Sequence, residues 1–244
     1  MSGGKRLVVL PTYQEAENIP VVVPRIREAC PDADILVVDD ASPDGTADAA
    51  EKHGAQVLRR TGKRGLGPAY ADGFAWGLER GYDYFVGMDA DLSHDPAVLP
   101  ALFRLVEDGA DMAVGSRYIE GGAIPHWPAH RRALSRWGNK YATTALRLPV
   151  SDATTGYRAF SADILRRVQV ASLRASGYGF LIELVYRVAR TGGRIVETPI
   201  VFVDRERGTS KMNSRIIAEA MAFVTLWGLR DRLVALRSRS PRRG

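Results

Sequence analysis

Short apolar runs alternate with amphipathic stretches along the first half of the chain. Residues 7–10, 35–38, 56–58, 84–88 and 111–115 have the length and apolar density of buried strands. The segments between them, at about 15–29, 44–53, 68–80 and 96–108, carry helical periodicity. Repeated strand–helix–strand order predicts an α/β fold: a mostly parallel, twisted sheet covered by helices on both faces, with right-handed crossovers. In such sheets ligands bind beyond the carboxyl ends of the strands, where neighbouring loops diverge.

Three predicted strands end in polar clusters that would share one rim. Pro11-Thr12-Tyr13-Gln14-Glu15 follows the first, Asp39-Asp40-Ala41-Ser42-Pro43-Asp44-Gly45 the second and Asp89-Ala90-Asp91 the fourth. Ser42-Pro43-Asp44-Gly45 reads as a turn, with Asp44 structural. Asp89 and Asp91 differ, because an Asp-x-Asp pair sets two carboxylates on one side of an extended segment, where they repel unless a cation screens them. Mg²⁺ or Mn²⁺ suits such a sparse pair, since both ions keep coordination positions for phosphate oxygens. Asp95 precedes Pro96 at a helix start and reads as an N-cap. His94 reads as packing, because Mg²⁺ prefers oxygen.

The formal charge of +6 raises the question of a polyanionic partner, and its distribution answers it. Residues 230–244 hold six Arg against one Asp, a net +5 of that +6, leaving +1 for residues 1–229. The division expected is therefore a catalytic domain over 1–229 and a basic, flexible tail over 230–244. An anionic membrane surface fits this tail better than nucleic acid, since the body has no basic stripe interleaved with aromatics. Residues 216–229 form the longest apolar helical stretch, but they include Glu219 and fall short of the roughly 20 residues that span a bilayer. The single cysteine, Cys30, and an N-terminus without a signal-like apolar run point to a reducing, cytoplasmic setting. The chain would be peripheral on the cytoplasmic membrane face, or held there by an anchoring partner.

"LPTYQEAENIP", "VVDDASPDGT", "RRTGKRGLGPAYADGF", "MDADLSHDP", "VGSRYIEGG", "SDATTGYRAF" and "RERGTSK", in this order, resemble the inverting GT-A glycosyltransferases of family two. More narrowly, they resemble the dolichol- or polyprenol-phosphate mannosyltransferases. The resemblance covers nearly the whole chain and implies the GT-A nucleotide-sugar transferase fold. It implies metal-dependent transfer of mannose from GDP-mannose to a polyprenyl monophosphate with inversion, releasing GDP. The acceptor phosphate is already anionic near neutral pH, so the chemistry needs no strong general base. It needs positive charge where a diphosphate and a phosphate meet.

By this resemblance Asp89 and Asp91 hold the metal, and together with Ala90 they bind the donor. Ser93 is an uncertain third ligand, standing where some relatives carry Gln. Arg117, Arg205 and Lys211 touch donor or acceptor phosphates, and Arg131 clamps the acceptor. Gly208 lets the Arg-x-x-Gly-x-Ser-Lys loop bend over the diphosphate. Pro11, Tyr13 and Glu15 match the family's donor-binding Pro-Thr-Tyr-Asn-Glu, with Gln14 in place of Asn; packing for Tyr13 and a helix-start charge for Glu15 are the competing roles. If Leu36, Val38 and Asp40 share a strand face, Val38 and Asp40 reach the base and ribose while Asp39 points to the other side. Glu183 matches a family acidic position that pairs with a basic loop.

Two other readings compete: another donor such as UDP-glucose, and a noncatalytic nucleotide- or polyanion-binding protein. A processive polysaccharide synthase fits poorly, because Arg136-Trp137 follows Ala133 where a Gln-x-x-Arg-Trp motif needs Gln.

Overall fold

The computed structural model describes residues 4–62, 65–173, 177–204 and 214–239. The first half follows the apolar pattern closely. Strand β1 (Arg6–Thr12) leads to helix α1 (Ile19–Ala29), β2 (Ala33–Asp39) to α2 (Thr46–Lys52), and β3 (Gln56–Arg59) to α3 (Leu66–Glu79). Strand β4 (Tyr84–Gly87) is followed by a 3-10 turn at Pro96–Val98, helix α4 (Leu99–Glu107) and β5 (Met112–Ser116). The second half adds α5 (Ala129–Leu146), β6 (Arg158–Ser161), α6 (Ala162–Arg167), α7 (Gly177–Arg190), β7 (Ile195–Pro199) and α8 (Ser214–Arg239).

The strands form one sheet in the order β3-β2-β1-β4-β6-β5-β7. Every pairing is parallel except those of β6, which runs antiparallel to both β4 and β5. Strand alternation divides the core between the two faces. Leu7, Val9, Leu36 and Val38 pack with residues of α3 and α7, whereas Val8, Leu10, Ile35 and Val37 pack with α1 and α4. Both faces are covered, which is why the strands read as continuous apolar runs.

Helix α8 contains the apolar stretch 216–229 and continues through Arg239. The first ten residues of segment 230–244 are therefore helical. Arg, Leu and Ala are strong helix formers, and the first proline of the segment is Pro241. The helix docks on its neighbours: Trp227 stacks on Tyr186 of α7 at 5.5 Å, Tyr186 donates to Asp231 Oδ1 at 2.8 Å, and Thr225 shares a 2.7 Å hydroxyl contact with Tyr141 of α5. Among the described residues no helix is long and apolar enough to cross a membrane.

Candidate active site

The loops beyond β1, β2 and β4 each contain a non-glycine residue with left-handed backbone: Gln14 (φ 58°), Ala41 (φ 57°) and Leu92 (φ 63°). Such conformations cost of order 1 kcal/mol or more each and concentrate where structure serves a ligand. At Gln14 the strain is greater than it would be for Asn, which tolerates this region better.

The β4 loop carries the acidic pair. Asp91 is buried, and its Oδ1 accepts the Ser93 N–H at 3.0 Å. The Asp89 side chain keeps 34% of its exposure, and its Oδ1 accepts from the Tyr70 hydroxyl at 3.3 Å. His94 lies wholly buried, stacked on Tyr157 at 4.8 Å, with Nδ1 accepting the Asp89 backbone N–H at 3.2 Å. Burial pushes its pKa down, so the ring is neutral. His94 packs, as expected, and its Nδ1 is engaged. Asp95 caps the 3-10 turn by accepting from Ala97 N–H at 3.0 Å.

Asp89, Asp91, Ser93, Arg117 and Arg131 line one cavity, together with Trp127, Thr154, Gly156, Phe202 and Asp204. Arg117, just beyond β5, is buried and forks onto Asp152, Nε to Oδ2 at 2.6 Å and Nη2 to Oδ1 at 2.8 Å, with Thr154 Oγ1 also accepting at 2.8 Å. Burial alone would raise the Asp152 pKa, but the Arg117 charge and hydrogen bonds outweigh it and hold the carboxyl below its ordinary range. Arg131, near the start of α5, is half-exposed. Its guanidinium lies 3.8 Å from the Trp127 ring centre and 3.2 Å from Asp204 Oδ1, which also accepts from Trp127 Nε1 at 2.7 Å.

Sequence reasoning missed Trp127, Asp152, Thr154, Phe202 and Asp204. It also missed Arg158 of β6, whose side chain is completely buried and donates to the carbonyls of Leu181 at 2.5 Å and Ala153 at 2.7 Å. Burial lowers its pKa to about 10. The motif "SDATTGYRAF" contains Asp152, Thr154 and Arg158, and Asp204 immediately precedes "RERGTSK", so part of the signal was present without the partners.

The nucleotide-side residues are placed as follows. Alternation sets Asp40 on the α3 face and Asp39 on the other, as expected. Asp39 is engaged by Thr12 and Ser42. Asp40 accepts from Arg60 Nη1 at 2.5 Å and from the Gly65 N–H at 2.6 Å, tying β2 to the start of α3. Val38 is wholly buried in the core. Glu15 accepts from Asn18 Nδ2 at 2.6 Å, and its carbonyl accepts the Asn18 and Ile19 N–H groups that open α1. Asp44 holds Thr46 and the Ala16 N–H, the structural role expected. Pro11 and Tyr13 are half-buried on the same rim, and Ala90 is buried between the two aspartates. Glu183 pairs with Arg187 of its own helix at 2.6 Å. Arg205, Gly208 and Lys211 lie outside the described residues.

Asp89, Asp91 and Ser93 offer only carboxylate and hydroxyl oxygen, a donor set that fits a hard divalent cation. Among the described residues no three His, Cys, Asp or Glu side chains converge as a metal site. Two carboxylates would thus leave most of an ion's coordination shell to substrate oxygens and water.

The profile described as Glycosyl transferase family 2 matches residues 7–169. The chain belongs to this family. Among family members with curated names, it is 50% identical over 238 residues to the undecaprenyl-phosphate mannosyltransferase of Micrococcus luteus, covering 96% of this chain and 98% of that one. It is 46% identical over 235 residues to the polyprenol monophosphomannose synthase of Mycolicibacterium smegmatis, covering 94% and 89%. The fold is GT-A: glucosyl-3-phosphoglycerate synthase from Mycobacterium tuberculosis, in complex with Mn²⁺, UDP-glucose and phosphoglyceric acid, superposes with a TM-score of 0.68 at 19% identity, over 93% of this chain and 80% of that one.

Proposed function

We propose that this family 2 glycosyltransferase transfers mannose from GDP-mannose to a polyprenyl monophosphate with inversion, giving polyprenyl-phosphate-mannose and GDP. One observation carries the reading: Asp89 and Asp91 face the same cavity as Arg117 and Arg131, in a chain half identical along nearly its full length to an enzyme named for mannose transfer to undecaprenyl phosphate. A divalent ion held by Asp89 and Asp91, Mg²⁺ or Mn²⁺, supplies the charge that a departing diphosphate requires. Arg117, oriented by Asp152, puts a fixed guanidinium on the cavity wall without rearrangement at the moment of reaction. Pro11, Tyr13, Glu15, Asp40 and Ala90 are assigned to the donor side by the same resemblance, as Arg205 and Lys211 are to its phosphates; Val38, wholly buried in the core, lies beneath that surface and would not touch the donor directly.

The test is a donor screen with polyprenyl phosphate and Mg²⁺ or Mn²⁺, scoring labelled lipid. GDP-mannose should give product. Product from UDP-glucose instead would replace the donor assignment, and no lipid product from any donor would favour a noncatalytic binding protein.

Arg131 is assigned to the acceptor because it lies at the half-exposed end of the cavity, stacked on Trp127. Arg131→Ala should lower kcat/KM for polyprenyl phosphate by roughly tenfold or more, the scale of a lost charge-assisted hydrogen bond, while leaving the GDP-mannose requirement unchanged. Titrating each substrate separately checks this. A rise confined to the GDP-mannose KM would reverse the assignment.

The chain is also assigned peripherally to the cytoplasmic membrane surface. Leu134 and Trp137 of α5 and Leu226, Leu229, Leu233 and Val234 of α8 are exposed apolar side chains on two helices that contact each other. They lie on helices that also carry arginines, and each Arg near an anionic surface contributes about 1 kcal/mol of attraction. Deleting residues 230–244 would cut α8 and release Asp231 from Tyr186, so the cleaner variant replaces Arg232, Arg237, Arg239, Arg242 and Arg243 by Gln. It should keep GDP-mannose binding, sediment less with anionic liposomes, and transfer to a long-chain acceptor more slowly than to a short soluble one. Vesicle binding equal to wild type at low salt would remove the tether.

A further inference from the structure

The underside of Asp89 is built around one tyrosine. Tyr70 of α3 is buried, and Asp89 Oδ1, 3.3 Å away, is the hydrogen-bond partner of its hydroxyl among the described residues. Two glycines make room for it. At Gly87, the last residue of β4, an added Cβ would stand 2.7 Å from Tyr70 Cε1. At Gly156 an added Cβ would stand 3.2 Å from Asp89 Oδ1 and 3.5 Å from the Tyr70 hydroxyl. Phe74 and Phe180 stack on the ring with centroids 5.7 and 6.1 Å away, which fixes its plane. From the backbone side, the Asp89 N–H is held by His94 Nδ1.

A carboxylate on a loop turns freely about its last bond unless something fixes an oxygen. A buried hydroxyl whose available acceptor is that oxygen is such a restraint, since leaving the donor unmade in the interior is costly. We propose that Tyr70 is a positioning residue for the metal site: its O–H fixes Asp89 Oδ1, and Gly156, without a side chain, leaves room for that contact, so that the carboxylate meets a divalent ion already oriented. This rests on the assignment of Asp89 as a metal ligand. Groups that orient ligands in this way typically account for 10- to 100-fold in metal affinity.

The test is Mn²⁺ titration of the full chain with GDP present, read by loss of the free-ion paramagnetic resonance signal. Tyr70→Phe keeps the ring stack and removes only the hydroxyl; it should weaken Mn²⁺ binding by roughly tenfold or more. Gly156→Ala, whose methyl would stand 3.2 Å from the same oxygen and 3.5 Å from the Tyr70 hydroxyl, should crowd the contact and weaken binding too. In an Asp89→Asn background, adding Tyr70→Phe should cause no further loss, because the oxygen it orients no longer carries the charge. Mn²⁺ affinity within twofold of wild type in both Tyr70→Phe and Gly156→Ala would overturn the inference and leave Asp89 as ligand intact. Unchanged affinity in Asp89→Asn would overturn both. A core tyrosine that merely found the nearest acceptor would change thermal stability without moving metal affinity.

Discussion

Purified Asp91→Ala should transfer mannose at least about a hundredfold more slowly than the wild-type chain, even at saturating Mg²⁺. Asp91 is the more buried of the two carboxylates, and its Oδ1 is fixed by the Ser93 N–H. It cannot be replaced by a neighbour, because among the described residues no third carboxylate, His or Cys joins the pair. Removing it leaves Asp89 alone to hold a divalent ion against a diphosphate. Losing even a few kcal/mol of transition-state charge stabilisation lowers the rate by two orders of magnitude or more. Asp89→Ala should be severely impaired for the same reason. The measurement is turnover of purified variants across a Mg²⁺ titration, with circular dichroism to show that the fold persists. Near-normal turnover in Asp91→Ala would end the metal assignment.

That Asp91 was visible in the sequence follows from the register of β4. A short buried strand with no polar interruption ends at Gly87, and whatever follows must emerge at the ligand-binding rim. Strands β1, β2, β4 and β5 were legible for the same reason, as apolar runs between helical segments; β3, expected to be buried, is the edge strand Gln56–Arg59, with only Val57 and Leu58 apolar and none of its residues buried. Strand β6 was not. Its four residues are Arg158-Ala-Phe-Ser161, and a completely buried arginine stands where an apolar side chain would mark a strand. Strand β7 has Glu197 at its centre, with both carboxylate oxygens used by the Ser151 and Asp152 N–H groups. Helix α5 is poor in apolar residues and buries only Asn139, Ala142 and Leu146, so periodicity had little to act on.

The site was legible to a similar depth. Asp89 and Asp91 were found from local context and Arg117 and Arg131 through the family resemblance, and the four meet at one cavity. What the sequence withheld was pairing across distance. Arg117 and Asp152 are 35 residues apart, and Arg131 and Asp204 are 73 apart. No local pattern distinguishes an arginine held by a buried carboxylate from one waiting in solvent. Alternation correctly chose the faces of Asp39 and Asp40, but it carried no information about Arg60, which closes on Asp40 from the end of β3.

The two Asp–Arg pairs on the cavity wall should differ sharply in what their loss costs. Asp152 is completely buried and Arg117 nearly so, whereas the Arg131 and Asp204 side chains keep 40% and 41% of their exposure. Asp152→Ala strands a buried guanidinium without its counter-charge, and breaking such a pair costs about 3–5 kcal/mol. Asp204→Ala breaks a solvated pair worth no more than about 1 kcal/mol, together with the Trp127 Nε1–H hydrogen bond, and should cost less than Asp152→Ala. For a chain of this size the first loss corresponds to a fall in Tm of roughly 10 °C.

The sign with pH follows from the depressed Asp152 pKa. Its contribution is fully present above the unfolded carboxyl's ordinary value of about 4, and is lost as pH falls through the lower folded value. The stability gap between wild type and Asp152→Ala should therefore be widest near neutrality and narrow in acid. The paired change Arg117→Met with Asp152→Leu removes both charges and should recover much of the stability, because an apolar pair of similar volume avoids desolvating either ion. Transfer should stay low, since the guanidinium is then missing from the cavity wall. Denaturant melts at several pH values, beside turnover of each variant, separate the two roles. A loss below about 1 kcal/mol in Asp152→Ala at neutral pH would show that Arg117 does not need Asp152, and full turnover in the double variant would show that Arg117 does not serve the reaction.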